Sequence, residues 1–267
     1  FSTLELRGHF CAEELRLNRR LAPDLYLDVV AVRGTPAAPT LDGDGPVLDY
    51  AVRMREFPQD ALLPRVLERG ALTAALVDDL AAEVAAFHRR IDAAPADGPY
   101  GVPADVLHYA VQNFTQVRRL ADFPGDAQAL SLLEAWTAAA YSALRPVLDE
   151  RRRGGFVREC HGDLHLGNIA LVEHRLTIFD CLEFNPELRW IDTMSEVAFL
   201  AMDLADRGHP DHSRRFVSAY AEATGDYAGV AVLRFYLVYR AMVRAKVACL
   251  RALPLGTGTL SAASLDE

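Results

Sequence analysis

Apolar positions in residues 2–20 recur every three or four places: Leu4, Leu6, Phe10, Cys11, Leu15, Leu17 and Leu21 fall on one arc of a helical projection. The spacing predicts an amphipathic helix, with Ser2 or Thr3 as its cap and Pro23 as its stop. At about 100° per residue, Glu14 lies near the middle of that arc and Glu13 at its edge. A carboxylate in the middle of an apolar face is costly unless it meets a cation. The period then shortens to two. "YLDVVAVRG" and "GPVLDYAVRM" predict strands, joined by the turn-rich "GTPAAPTLDGDGP". Residues 1–57 thus read as a small sheet with a helix beside it.

After "REFPQD" the helical period returns. Helices are expected over 73–92, 104–121 and 127–151, separated by "APADGPYGVP" and "FPGD". Short β-like runs follow, "GFVREC", "NIALV" and "LTIFD", and then helices over 188–206, 213–223 and 228–251. Residues 254–267 read as a disordered tail, whose glycines are not followed by the Gly-Lys-Ser/Thr of a P-loop. The pattern divides the chain into a β-rich piece (1–57), a connector at Met54–Phe57 and a mostly helical piece (58–253). The natural cleft lies between the two pieces.

The densest chemistry is the run "CHGDLHLGNIAL" from Cys160, followed by "FDCLEF" from Phe179. Asp163 sits in a loop after a strand, Asn168 starts the next strand, and Asp180 ends the second strand of the expected hairpin. Asp163 can accept a hydroxyl proton, while Asn168 and Asp180 offer hard oxygen ligands suited to Mg²⁺. Phosphoryl transfer needs that set. A rival reading places Zn²⁺ on His161, Asp163 and His165 with Asp180, in a metal-dependent hydrolase. A plain reading makes the loop a turn and Asn168 an ordinary loop residue. His161 either supports the loop through its ring nitrogens or simply packs. Glu183 is placed to support the metal ligands or to pair with Arg189. Asp192 is placed to brace the loop or to face solvent. Trp136, Trp190, Phe235, Tyr236 and Tyr239 read as core rather than as a substrate platform.

Composition narrows the class. The chain of 267 residues is 51% hydrophobic and 24% charged, in the range of globular proteins. A net charge of −9 argues against a nucleic-acid partner. No apolar run reaches spanning length and the first residues do not form a signal peptide, so no membrane partner is expected. The 4 cysteines form no CxxC pair, which fits a reduced cytoplasmic setting. Lys246 is the sole lysine.

"HGDLHLGN" followed by "IFDCLEF" resembles the catalytic loop and metal-binding segment of the aminoglycoside phosphotransferase-like kinases, which have a protein-kinase-like fold. "CAEELRLNRRLAPDLYLDVV", "YAVRMREFPQDALL" and "FNPELRWIDTMSEVAFLAMDL" are similar to a bacterial subgroup in which this domain often precedes a P-loop ATPase domain. The resemblance implies an α+β, two-lobed fold and ATP-dependent phosphorylation of a small-molecule hydroxyl. It implies Asp163 and His161 as catalytic residues, Mg²⁺ on Asn168 and Asp180, and a nucleotide-binding hinge at Met54, Arg55, Glu56 and Phe57. Glu14 matches the helix glutamate that pairs with a phosphate-gripping strand lysine. That lysine and the phosphate-covering loop have no counterpart here, so a fragment of a longer kinase with impaired activity is expected. The alternative is an inactive kinase-like binding module. Where Glu196 stands, the subgroup usually has an Asp.

Overall fold

The computed structural model describes residues 2–120 and 127–252. Helix α1 (Leu4–Asn18) opens where the Thr3 hydroxyl accepts from the Leu6 N–H at 3.2 Å. Strand β1 (Tyr26–Thr35) pairs antiparallel with both β2 (Ala38–Leu41) and β3 (Val47–Met54), in the order β2-β1-β3, and α1 lies against β1 and β3. The joint expected to be only a turn therefore contains a strand. All four β2 residues are exposed, so this strand has no buried face and leaves no alternation to read. The amphipathic expectation for α1 is also corrected. Only Leu17 and Asn18 are buried, and Leu6 is 40% exposed, because a three-stranded sheet covers little of the helix.

The larger lobe is helical. Short α2 (Leu63–Glu68), not foreseen in the sequence, buries Leu63, Val66 and Leu67 in the main core. Next come α3 (Ala74–Arg90), α4 (Pro103–Leu120) and α5 (Ala127–Arg153). Strands β5 (Ile169–Val172) and β6 (Arg175–Ile178) form the expected antiparallel hairpin, with Ile169 opposite Ile178. The helix expected over 188–206 is instead three elements: α6 (Pro186–Arg189), β7 (Trp190–Asp192) and α7 (Thr193–Asp206). β7 pairs with β4 (Val157–Glu159), and Asp192 caps α7 by accepting from the Met194 N–H at 2.8 Å. Helices α8 (Pro210–Thr224) and α9 (Val230–Ala252) pack on α7, whose residues Thr193–Leu204 are all buried. Asp192 also forms a buried ion group with Arg151 and Asp226, all contacts being 2.8 Å, which ties α5 to α7 and to the approach to α9. The expected tail and the "FPGD" break lie outside the described residues. No described helix is long and apolar enough to cross a membrane.

This core positions the quoted loop. Leu164 and Leu166 are buried in the main cluster, with Ile169 beside them. They alternate with Asp163, His165 and Asn168, so apolar anchors fix the polar groups between them.

Candidate active site

The loop from Cys160 leaves β4 and runs into β5. His161 is fully buried; its Nε2 donates to the Phe179 carbonyl at 2.8 Å, and its Nδ1 accepts from the Asp163 N–H at 3.3 Å. One proton on Nε2 satisfies both contacts. Gly162 takes φ +89° and donates to Glu196 Oε1 at 2.8 Å. Asn168 Nδ2 donates to the Asp163 carbonyl at 3.0 Å and to its carboxylate at 3.1 Å, while His165 Nε2 stands 3.5 Å from the same carboxylate. The Asp163 side chain remains 38% exposed, open to a substrate.

Asp180 ends the hairpin in a left-handed conformation, φ +66°. Such a conformation is unfavourable for a non-glycine residue and persists only where its surroundings enforce it. Here the small lobe does so. The Tyr26 hydroxyl accepts from the Asp180 N–H at 3.2 Å, and the Asn18 side chain accepts from the Cys181 N–H at 2.8 Å. His161 adds its carbonyl, which accepts from the Leu182 N–H at 3.0 Å. Phe179 packs edge-on against Phe57 at 5.4 Å between ring centroids, so the connector and the hairpin meet at the junction of the lobes. Met54 ends β3, Arg55 donates its N–H to the Leu25 carbonyl at 2.8 Å, and Arg55 and Glu56 are exposed beside the half-buried Phe57.

The electrostatics separate the acids. Burial works against ionisation of Asp163, but the contact with His165 and the fields of His165 and Arg240 hold its carboxyl below the ordinary value. Asp180 is pushed up by burial and by Asp163, and Glu183 by burial and by Asp180. Glu14 rises to about 7 through burial, Glu183 and Asp180. No described cation pairs with the Glu14 carboxylate, and Lys246 lies on α9, which packs on α4, α5 and α7. The Asn168 carbonyl accepts from the Phe179 N–H at 3.0 Å, which holds Asn168 next to the end of the hairpin where Asp180 stands. With its Nδ2 engaged at Asp163, Asn168 keeps Oδ1 as an oxygen ligand. Hard oxygens and carboxyls that repel one another fit a divalent cation such as Mg²⁺.

Several expectations change. His161 has both ring nitrogens engaged inside the protein, so it supports the loop and does not act on a substrate. The same engagement leaves His161 without a free ring nitrogen for Zn²⁺. Asp192 pairs with Arg151; the brace on the loop is Glu196, whose Oε2 lies 2.7 Å from buried His88, itself 2.8 Å from the Tyr220 hydroxyl. Arg189 takes the Glu183 carbonyl, at 3.0 Å, rather than its carboxylate. Phe235, Tyr236 and Tyr239 are buried in the main core as expected, while half-buried Trp190 lines a cleft with Tyr100, Asp105, Tyr109, Glu187 and the edge of Tyr239. Asn18, Tyr26 and Glu196 were not singled out as site residues. The readable signals were a polar Asn18 at the packed end of the first helix and the acid at Glu196, where the resembled subgroup usually has an Asp.

The profile of the phosphotransferase enzyme family matches residues 10–236. The chain belongs to this family. Uncharacterized proteins of Mycobacterium tuberculosis and Mycobacterium bovis are each 32% identical over 251 residues, which is 94% of this chain and 49% of theirs. The chain spans about half the length of these relatives. Among solved structures, a glucosamine kinase in complex with glucosamine, ADP and inorganic phosphate has a TM-score of 0.53 at 19% identity, covering 81% of this chain and 63% of that one. A second glucosamine kinase crystal form has a TM-score of 0.54 at 19% identity, covering 92% and 63%. These two show the shared fold, a small strand-bearing lobe and a larger helical one.

Proposed function

We propose that this phosphotransferase domain moves the γ-phosphoryl group of ATP to a hydroxyl of a small molecule. The observation that carries the reading is the Asp163 carboxylate, exposed yet held by Asn168 and His165, on a loop that the Asp180 hairpin returns to. Asp163 accepts the hydroxyl proton as the new oxygen–phosphorus bond forms and the bond to ADP breaks. Its depressed pKa keeps it ionised and ready. Asn168 fixes its orientation, and Glu196 fixes the loop backbone at Gly162. Asn168 Oδ1 and Asp180 would hold Mg²⁺, which supplies charge neutralisation at the phosphates. Met54, Arg55, Glu56 and Phe57 would border the adenine, with Glu14 and Glu183 on the phosphate side.

The acceptor would enter the cleft between α4, α9 and the α6–β7 segment. Its described lining includes Asp105 and Glu187 at polar positions, aromatic Tyr100, Tyr109, Trp190 and Tyr239, and no Arg, Lys or His. This chemistry suits a hydroxylated molecule bearing an amine. Glucosamine, bound by the structurally similar kinase, is a first probe.

One observation favours a second reading. Glu14 has no described cation opposite it, as expected of a kinase-like binding module without catalysis, or of a fragment whose lysine lies elsewhere in a longer protein. A cytoplasmic setting and a P-loop ATPase domain in the whole protein belong to the same proposal. Calorimetry of ADP with Mg²⁺ tests the nucleotide site. Binding that requires Mg²⁺ and is lost in Asp180→Asn supports it; equal binding by parent and variant refutes the metal assignment.

A further inference from the structure

We infer that Glu159 is a positioning residue, keeping α1, the catalytic loop and the segment after Asp180 in one register so that Glu14 faces the phosphate side of the cleft. The claim rests on the phosphotransferase reading for its consequence, but its geometry stands apart from it. Glu159 ends β4, two residues before His161, and is 6% exposed. Three guanidinium groups meet its carboxylate. Arg16 of α1 donates through Nη2 to Oε1 at 2.8 Å and through Nη1 to Oε2 at 3.1 Å. Arg20, just past the end of α1, donates to Oε2 at 3.1 Å. It also reaches the loop backbone, at 2.7 Å to the Glu159 carbonyl and 3.2 Å to that of Cys160. Arg189 of α6 donates through Nε to Oε1 at 3.2 Å.

The Arg189 guanidinium then links this junction to the metal-side segment, because its Nη1 donates to the Glu183 carbonyl at 3.0 Å. Glu13 closes the group, accepting from Arg16 at 2.9 Å and from Arg189 at 3.4 Å. Glu13 and Glu14 are neighbours on α1 with different roles. Glu13 joins the arginines, and Glu14 feels the fields of Asp180 and Glu183. Among the described residues, the other hydrogen-bond ties of the small lobe to this segment are neutral: the Tyr26 hydroxyl accepts from the Asp180 N–H, the Asn18 side chain accepts from the Cys181 N–H, and the Leu17 carbonyl accepts from Cys181 Sγ at 3.8 Å. Buried ion networks add little net stability relative to apolar packing, but they penalise misalignment strongly, since a displaced partner leaves a charge unpaired. A carboxylate placed between the elements that carry Glu14, Asp163 and Asp180 therefore sets their relative position.

The test compares the parent with Glu159→Gln and with Arg16→Gln, whose exposed site leaves folding intact if the first variant fails to fold. Amide hydrogen exchange without nucleotide is expected to speed up about 10-fold or more in both α1 and residues 180–183, and to stay unchanged in α4 and α5. In the full-length protein the KM for ATP rises more than kcat falls, and adding Glu14→Gln to either variant produces no further rise. Exchange that quickens in α1 alone, or uniformly, overturns the inference, as do effects of Glu159 and Glu14 that multiply. The exchange arm decides the positioning claim even if the parent transfers no phosphate, in which case the functional reading alone fails.

Discussion

Replacing Glu14 by Gln should change how stability depends on pH, in a direction fixed by the structure. The Glu14 carboxyl rises from 4.5 to about 7 through burial and the nearby Glu183 and Asp180 carboxylates. Between those two values the folded chain binds more protons at this site than the unfolded chain does. Stability from this group is therefore fully present below pH 4.5, declines as pH rises toward about 7, and is flat above that. At about 1.4 kcal/mol per pKa unit the decline has an upper bound of about 3.5 kcal/mol. Glu14 is only partly buried, and solvent screening reduces the expectation to about 1 kcal/mol. Gln cannot ionise, so the variant should gain about 1 kcal/mol on the parent between pH 5 and pH 8. Urea unfolding at the two pH values, with equal slopes required, measures it. Parallel pH profiles, or a parent that gains on the variant toward pH 8, would refute the claim that Glu14 lacks a cation.

Other outcomes follow from single contacts. Arg151→Met removes the cation shared by buried Asp192 and Asp226, and should cost about 3–5 kcal/mol in urea unfolding at pH 7; a loss under about 1 kcal/mol would show that the fold does not depend on the guanidinium between them. Gly162→Ala sets a Cβ 3.1 Å from Leu182 Cβ and the Leu188 carbonyl, in a backbone with φ +89°. It should cost about 1–3 kcal/mol and displace the loop, which amide exchange at Gly162 and Asp163 reports; an unchanged melting temperature and exchange pattern contradicts the strain.

The hairpin and most long helices could be read from period and punctuation alone. Ile169–Val172 and Arg175–Ile178 pair as the two short apolar runs suggest, and helix α9 follows its predicted span within two residues at its start. The breaks were harder. β2 has no buried face, and the helical signal of 188–206 concealed β7, because pairing with β4 and capping by Asp192 are long-range choices. At the site, Asp163, Asn168 and Asp180 stood out because a loop and a hairpin bring them together in sequence-local fashion. Glu196, Tyr26 and Asn18 act on residues 34, 154 and 163 positions away, where only the folded chain supplies the neighbour. His161 was legible as important but not in its role, since that role depends on its burial and on the Phe179 carbonyl, 18 positions away, that its ring meets.

The most direct test of the account is transfer of labelled γ-phosphate from ATP, with Mg²⁺, to a panel of small hydroxylated amines that includes glucosamine and its non-amine counterpart glucose. The full-length protein and its Asp163→Asn variant are compared, and the phosphorylated product is identified by mass spectrometry. The account predicts a phosphorylated hydroxyl on an amine-bearing acceptor, and a rate lower by about 10²–10⁴-fold in the variant with ADP affinity unchanged. Equal rates in the two proteins would contradict Asp163 as the base, and the absence of any transferred phosphate from a protein that binds ADP with Mg²⁺ would contradict the kinase reading in favour of a binding module.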